Sequence, residues 1–384
     1  MVAAAFVAMC SVYAIAYSFG EFFRPMAAEF GADRSATSAV FSITVLVWCL
    51  LGPVTGHLSD RFGPRIVVAS GALVMGLGLA LTSIIDRLWL GYLTYGLGVG
   101  VGVACAYVPM VAVVGGWFLR RRNTALGIAV AGIGFGTVLG APAAAALIDH
   151  LGWRATYVVF AIATTAVLLG CALIVERPPV HVTPSRVRLA DALRSPAFGF
   201  LYASSVTVST VIFVPLVYLP SFARDHGASE FASAALVGII GGASVAGRMG
   251  LGSLADRAGV VRLYQASFLV LALSYGLWLI AASYPMMVLF AFVMGAGYGG
   301  YVALSPAVIA HLFGTQRMGT VLGALYTSGG IGAMAGPPLV GLIIDRTGSY
   351  RLAIAAAFVV ALTSFALLLP LTGYDRPPTP TQPV

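Results

Sequence analysis

The sequence predicts an all-α membrane protein with twelve transmembrane helices arranged as two pseudo-symmetric six-helix bundles. Three observations lead to this prediction. The chain is 60% hydrophobic and 9% charged, whereas soluble domains carry charge on about a quarter of their residues. Apolar runs long enough to cross a bilayer, which takes about 20 residues, recur along the whole chain. Several short motifs also recur at one constant spacing of 196 residues.

The apolar runs number twelve, and each predicts one membrane-spanning helix. They cover approximately residues 2–23, 36–58, 66–85, 88–118, 124–148, 155–174, 197–220, 231–254, 263–282, 285–313, 320–344 and 352–371. The fourth and tenth runs exceed the length that a span requires, so we expect tilted helices there. The first run has neither a basic segment before it nor a cleavage site after it, and we therefore expect a retained span.

The distribution of charge predicts the orientation of the chain in its membrane. All 21 basic residues are arginine; 13 fall in the loops and tail of one membrane face, and 7 fall in the loops of the other. The positive-inside rule then puts both termini in the cytoplasm of a multi-pass protein of the inner (plasma) membrane. No basic patch predicts nucleic-acid binding. The four cysteines lie inside apolar runs without metal-ligand spacing, so we expect no cofactor and no metal.

The constant spacing predicts how the chain is divided. GHLSDRFG (56–63) recurs as GSLADRAG (252–259), and TALG (124–127) recurs as TVLG (320–323), each 196 residues later. Parallel repeats of this kind form two halves that rock about a central site and expose it alternately to each side, which is the architecture of a transporter. The predicted parts are an N-terminal bundle 1–175, a cytoplasmic linker 176–196, a C-terminal bundle 197–372 and a disordered tail 373–384.

The Gly-x-x-x-Asp-Arg-x-Gly loops resemble the signature loops of the major facilitator superfamily, and the repeat extends this resemblance over the whole chain. Within that superfamily, WFLRRRNTALGIAVAG (117–132) resembles the basic turn and small-residue run that enter the fifth helix of monocarboxylate transporters. The Phe-Phe pair at 22–23 and VAGRMG (245–250) resemble the same family, in a bacterial member. The resemblance implies transport of small monocarboxylates such as lactate or pyruvate, with Arg248 at the position where the family binds the substrate carboxylate.

Arg248 is the single arginine well inside a predicted span. It could extend its side chain to the membrane surface, but an intramembrane charge marks a functional site by default. The equivalent position of the first half is Gly52, so the repeat itself does not require the charge. A guanidinium fork matches a carboxylate with two parallel hydrogen bonds. No second basic residue lies in a span, which favours a substrate with one carboxylate. Small neighbours, among them Ser244 and Gly241, leave room for it.

Tyrosines in the middle of several spans could complete a site for a small organic acid. Ordinary packing is the alternative for each of them. Tyr107 and Tyr301 are the leading candidates, and Tyr298 accompanies Tyr301 on the tenth helix. Tyr17, Tyr326 and Thr207 are weaker candidates. Separately, Gly132, Gly136 and Gly140 follow one another at steps of four and predict a close helix contact.

Asp60, Arg61, Asp256 and Arg257 occupy the two signature loops, and the resemblance implies that they are gating residues whose charge pairs hold the outward-facing state. The coupling ion stays open. Many monocarboxylate transporters have an aspartate one turn before the arginine and a lysine in the first helix, where this chain has Ser244 and Tyr17. Proton symport, anion exchange and facilitated diffusion all remain, and Glu21 is the one acid of the first apolar run.

Two other classes of function compete with carboxylate transport. A drug efflux carrier would need a buried acid in the cavity, and an intramembrane enzyme or sensor would need a catalytic set or an added soluble domain. The histidines lie at or beyond helix ends, and no stretch is long enough for a further domain. We therefore expect a transporter and not an enzyme, active as a monomer in the lipid bilayer, with a small organic anion and, in the symport case, a proton as its partners.

Overall fold

A computed structural model describes residues 1–118, 122–177, 194–313 and 318–374, and gives side chains for these except 122–124, 252, 253, 255–258, 318–320 and 374. Within these ranges every regular element is a helix, because a helix satisfies its own backbone hydrogen bonds inside lipid. The first half contains α1 Val2–Tyr17, α2 Phe19–Phe30, α3 Arg34–Phe62, α4 Pro64–Thr82, α5 Leu88–Gly91, a π-helical turn Tyr92–Leu97, α6 Gly98–Trp117 and α7 Arg122–Ile174. The second half contains α8 Pro196–Ile212, α9 Val214–Asp225, α10 Glu230–Ala258, α11 Val260–Leu279, α12 Tyr284–Phe313, α13 Met318–Thr347, α14 Tyr350–Ala366 and a 3₁₀ turn Leu369–Tyr374.

These helices account for the twelve predicted spans. Eleven continuous helical segments of the described chain are long and apolar enough to cross a membrane, and one of them has 50 residues. That segment lies in α7, where Gly152 has φ 78° and ψ 161° and separates two helices. The first span is α1 with α2, which meet at Ser18, and the seventh is α8 with α9, where Pro215 cannot donate to the preceding turn. The predicted fold class is confirmed.

The 196-residue repeat is visible in the backbone. Six glycines have positive φ, and they form three pairs, since 227 − 31, 259 − 63 and 348 − 152 all equal 196. The pairs and their φ values are Gly31 (56°) with Gly227 (85°), Gly63 (95°) with Gly259 (87°), and Gly152 (78°) with Gly348 (64°). Only glycine adopts such angles without strain. The same helix ends therefore occur at equivalent places in both halves.

The repeat also governs packing inside each half. A Cβ atom at Gly136 would collide with the carbonyl of Cys10, and one at Gly332 would collide with the carbonyl of Val206. These contacts are equivalent, because 332 − 136 and 206 − 10 are both 196. Gly140 against Ala14 and Gly336 against Thr210 repeat the relationship one turn later. The predicted small-residue stripe is confirmed, and it brings α7 against α1 in one half and α13 against α8 in the other.

The two halves meet along α3 with α13 and along α7 with α10. We call the end of the bundle with Gly31 and Gly227 the distal face, and the end with Gly63, Gly259 and the N-terminus the proximal face. At the distal face α2 also packs on α9, where a Cβ at Gly20 would collide with the carbonyl of Leu216. Of the predicted site residues, Tyr17 and Tyr298 contact each other across this seam, and Arg248 contacts the opposite half.

Candidate substrate site

Arg248 extends from α10 to the seam between the halves. Its Nη1 donates a 3.0 Å hydrogen bond to the carbonyl of Val130 on α7, which belongs to the other half. Its Nε and Nη2 are buried and have no hydrogen-bond partner in the described structure. Buried charged donors are costly unless they are paired. The guanidinium is thus directed into the bundle and does not extend to the membrane surface, and it has two donors to offer to an anion.

Tyr17 and Tyr298 join the two halves beside this arginine. Their hydroxyl oxygens are 3.1 Å apart. The guanidinium carbon of Arg248 lies 5.9 Å from the ring centroid of Tyr298, close enough for a cation–π interaction. The charge of Arg248 also acts on the phenols of Tyr13, Tyr17 and Tyr107. Tyr17, a weaker sequence candidate, is therefore at the centre of the arrangement together with Tyr298.

Tyr107 and Tyr326 come from opposite halves, and their phenols interact. The phenol of Tyr326 also lies within electrostatic range of Tyr13 and Tyr301, which belong to different halves. Nevertheless, 39% of the Tyr326 surface is exposed. Because its partners lie within the bundle, this exposed surface lines a cleft between the halves and does not face lipid. Phenol groups from both halves, those of Tyr17 and Tyr298, meet at the seam.

Three other candidates point elsewhere. The ring centroid of Tyr301 lies 5.4 Å from that of Phe268 and 6.1 Å from that of Tyr264, so it packs within the second half. Ser244 is buried, and its hydroxyl donates to the carbonyl of Gly241 in the same helix at 2.8 Å. Thr207 likewise bonds within its own helix.

The small residues beside Arg248 serve helix packing. A Cβ at Gly241 would meet the side chain of Thr137 on α7, and a Cβ at Gly247 would meet the backbone of Ala296 on α12. We expected small neighbours of Arg248 to leave room for a ligand. This expectation is wrong for Gly241, because that residue packs against Thr137 of α7.

Sequence reasoning missed two aromatic residues and one backbone acceptor. The ring of Tyr13 lies 5.2 Å from that of Tyr17, 5.8 Å from Trp48 and 6.2 Å from Tyr107, measured between centroids. Tyr13 precedes Tyr17 by four residues, and this helical spacing could have revealed it. Trp48 is one apolar residue among many in its span, and the carbonyl of Val130 has no sequence signal, because every residue has one.

Asp60 and Arg61, the predicted gating residues of the first signature loop, form no ion pair with any described side chain. Asp60 and Arg61 are exposed, and the guanidinium of Arg61 lies 5.2 Å from the Phe62 ring centroid. The side chains of Asp256 and Arg257 lie outside the described residues. So do residues 178–193 of the predicted linker and 375–384 of the predicted tail.

Charge pairs join the halves at the distal face instead. Arg224 of α9 donates to Glu21 of α2 through Nη2. Nearby, Nη2 of Arg24 is 2.5 Å from Oδ1 of Asp225, and Nε of Arg34 is 3.8 Å from Oδ1 of Asp345. Each of these pairs links the first half to the second. These pairs and the packing of α2 on α9 hold the two halves together at the distal face in this conformation.

The described side chains also contain no group of three or more His, Cys, Asp or Glu that could hold a metal ion.

The family model described as Major Facilitator Superfamily matches residues 1–275 and 243–384, which together cover the chain. The chain belongs to the major facilitator superfamily. This superfamily member is accordingly a multi-pass membrane transporter and not an enzyme.

Among named proteins, the transporter is similar to several monocarboxylate transporters. It is 28% identical to monocarboxylate transporter 12-B of Danio rerio over 411 residues, covering 96% of this chain and 85% of that protein. It is 29% identical to monocarboxylate transporter 13 of Bos taurus over 387 residues, covering 96% and 88%. Human monocarboxylate transporter 12 is 28% identical over 418 residues, covering 98% of this chain and 80% of the relative. The resemblance stated from the sequence is confirmed at this level.

Solved structures agree on the fold. A bacterial homologue of the human lysosomal transporter Spinster, in an inward-facing and occupied conformation, superposes with a TM-score of 0.83. The alignment covers 99% of this chain and 98% of that one at 16% sequence identity. The same homologue in an unoccupied inward-facing conformation gives a TM-score of 0.81. At this identity the likeness concerns the fold alone.

Proposed function

We propose that this superfamily member carries small monocarboxylates of the lactate and pyruvate class across its membrane by alternating access, with Arg248 as the carboxylate anchor. The observation that carries the proposal is the unsatisfied guanidinium of Arg248 at the seam of the halves. Two free donors on one planar group fit the two oxygens of a carboxylate. The similarity to proteins named monocarboxylate transporters supports the same substrate class.

The surroundings of Arg248 favour one carboxylate and an apolar remainder. In the described part of the spans, Arg248 has no second buried cation beside it, and α13 contributes the ring of Tyr326 instead. The Tyr17 and Tyr298 hydroxyls can bond to the carboxylate or to a neighbouring oxygen. Trp48 and Tyr107 offer aromatic surface to the carbon end of the substrate.

Orientation follows from the positive-inside rule. With both termini in the cytoplasm of the inner (plasma) membrane, the distal face is the outer face. The distal charge pairs then correspond to an inward-facing conformation. In the outward-facing conformation, Asp60, Arg61, Asp256 and Arg257 would approach one another and close the inner face. One chain contains both halves of the site, so we propose that the monomer is active.

Uptake into proteoliposomes tests the proposal. Labelled lactate and pyruvate, together with a dicarboxylate and a lipophilic cation, are offered to the wild type and to Arg248→Ala. We expect saturable uptake of the monocarboxylates alone, lost in Arg248→Ala. Arg65→Ala is the matched control, because Arg65 also donates to a backbone carbonyl, that of Ala172 at 3.1 Å, but lies at the proximal end. Equal uptake by Arg248→Ala and wild type would refute the anchor, and uptake of the cation would indicate a drug carrier.

A further inference from the structure

We propose that the proximal end of the first half binds one anionic phospholipid. Its phosphate lies on the guanidinium groups of Arg65 and Arg177, and an acyl chain lies along the exposed side of α4. The site is separate from Arg248 and from the proposed substrate, so it stands or falls independently of monocarboxylate transport.

Arg65 and Arg177 each hold the chain segment that carries the other. Arg65, at the start of α4, donates to two carbonyls at the end of α7, from Nε to Ala172 at 3.1 Å and from Nη2 to Leu173 at 2.6 Å. Arg177 follows α7, and its Nη2 donates to the carbonyl of Arg61 at the end of α3 at 3.0 Å. Both guanidinium groups therefore lie at one junction, where the signature loop 56–63 meets the end of α7.

Most donors of these two arginines are left over. A guanidinium has five N–H donors, and among the described residues Arg65 uses two of them and Arg177 uses one. Both side chains are exposed, as is that of Arg61. None of the three forms an ion pair with a described side chain, including the nearby acids Asp60 and Glu176. The junction therefore offers positive charge and several donors to an anion from outside the protein.

The internal repeat shows that this charge is not needed to complete the fold. The carbonyl of Leu368 is equivalent to that of Ala172, since 368 − 172 is 196, and it accepts a 2.7 Å hydrogen bond from the neutral amide of Gln265 on α11. The positions 196 residues after the two arginines hold Val261 and Gly373. A buried, uncharged side chain thus serves the helix end of the second half, whereas the first half has exposed charge there.

The surface beside the arginines is apolar, which favours a lipid over a soluble anion. α4 packs on α6 and α7 of its own half. On its opposite side, exposed side chains recur at helical spacing and are mostly apolar; they are Ile66, Ser70, Leu73, Leu77 and Leu81. This stripe begins next to Arg65 and extends about 22 Å along the helix, more than one leaflet of a hydrocarbon core about 30 Å thick. Leu173 and Ile174 of α7 are exposed beside it.

An anionic phospholipid combines the two chemistries that meet here. Guanidinium groups bind phosphate oxygens through parallel charge-assisted hydrogen bonds, and the apolar stripe matches an acyl chain. In the proposed orientation the proximal face is cytoplasmic, and basic sites on that side of membrane proteins attract anionic headgroups. Charge complementarity therefore selects phosphatidylglycerol over phosphatidylcholine, whose headgroup has no net charge.

Rocking of the halves leaves this site intact, because all of its residues belong to the first half. The lipid stays bound in both conformations and does not contact the substrate. The single change Arg65→Ala leaves Arg61 and Arg177 in place, so it remains a control for uptake.

Lipid titration of the full-length protein in detergent tests the proposal, with native mass spectrometry counting the lipids bound to each protein. The probes are phosphatidylglycerol, phosphatidylcholine with the same acyl chains, and glycerol phosphate, which has the headgroup without the chains. We expect the wild type to bind one phosphatidylglycerol in preference to phosphatidylcholine. In the double variant Arg65→Gln with Arg177→Gln, we expect roughly 30-fold weaker binding, because each arginine near the surface contributes about fivefold.

The double variant Arg194→Gln with Arg262→Gln is the matched control. It removes two exposed arginines from the proximal face of the second half, and we expect it to bind phosphatidylglycerol as the wild type does. Glutamine can still donate to a helix-end carbonyl, as Gln265 does, so the test variant preserves this capping. An equal loss of binding in both double variants would show a general effect of charge and overturn the proposal.

Salt provides a readout that needs no variant. The Debye length falls from about 10 Å at 0.1 M to about 3 Å at 1 M salt, so we expect wild-type binding of phosphatidylglycerol to weaken severalfold while that of phosphatidylcholine does not change. Equal binding of the two lipids at low salt, or binding of phosphatidylglycerol that ignores salt, would refute the site. Displacement of the lipid by an equal concentration of glycerol phosphate would mean that the arginines take a soluble phosphate and that the lipid assignment is wrong.

Discussion

The hydroxyl oxygens of Tyr17 and Tyr298 lie 3.1 Å apart although the residues belong to opposite halves and are 281 positions apart in the chain. The contact crosses the seam at the same place where Arg248 approaches the Tyr298 ring. A contact between two halves that rock must change as access alternates. These two phenols are therefore part of the proposed substrate site.

We predict that Tyr298→Phe weakens substrate binding. The change removes one hydroxyl next to Arg248, and a lost hydrogen bond costs about 1 kcal/mol, or roughly fivefold in affinity. The measurement is the KM for lactate uptake. Tyr95→Phe is the control, because Tyr95 donates a buried hydrogen bond to Ile15 within the first half. An unchanged KM in Tyr298→Phe would mean that the phenols only pack.

We predict that Arg248→Lys transports with reduced affinity, whereas Arg248→Ala does not transport. Lysine preserves the positive charge but offers a point charge in place of a planar fork. Loss of one charge-assisted hydrogen bond costs about 1.5 kcal/mol, which corresponds to a KM roughly tenfold higher. Uptake measured over a range of lactate concentrations checks this. Identical kinetics for lysine and arginine would show that charge alone is recognised.

We predict that Gly152→Ala destabilises the protein by about 1–2 kcal/mol, because alanine is strained at a positive φ. An added Cβ there has no neighbour within 4 Å, so backbone strain is the whole effect. Gly170→Ala is the matched control in the same helix, also with open space, and it should be neutral or stabilising. Thermal unfolding in detergent measures both. Equal unfolding temperatures for the two variants would contradict the break at Gly152.

We predict that Gly140→Val and Gly336→Val destabilise the protein to similar extents. At both positions a Cβ collides with backbone, of Ala14 in one case and of Thr210 in the other. Overpacking of this kind costs about 1–3 kcal/mol, and more where the neighbour cannot move. Gly323→Ala, which meets nothing within 4 Å on the same helix as Gly336, is the control. A strong effect in only one half would contradict the equivalence of the two contacts.

Much of the fold could be predicted because membrane-spanning helices and internal repeats both produce clear patterns in a sequence. Continuous apolar runs predict helices, and the repeated loops at residues 56–63 and 252–259 predict two halves. Arg248 stands out for the same reason, since a charge inside an apolar run is rare. Tyr107, Tyr298, Tyr17 and Tyr326 could be nominated by their depth in a span, but depth alone does not distinguish them from Tyr301, whose ring packs on Phe268 of the same half.

The sequence by itself determined the class of architecture, the number of spans and the position of Arg248 well inside a predicted span, because hydropathy and charge are local properties of the chain. Only the tertiary structure decided which groups meet across the seam. Glu21 with Arg224, Tyr17 with Tyr298, and Arg248 with the carbonyl of Val130 join residues more than a hundred positions apart. Such pairs depend on the relative placement of two rigid halves, and no local pattern encodes that placement.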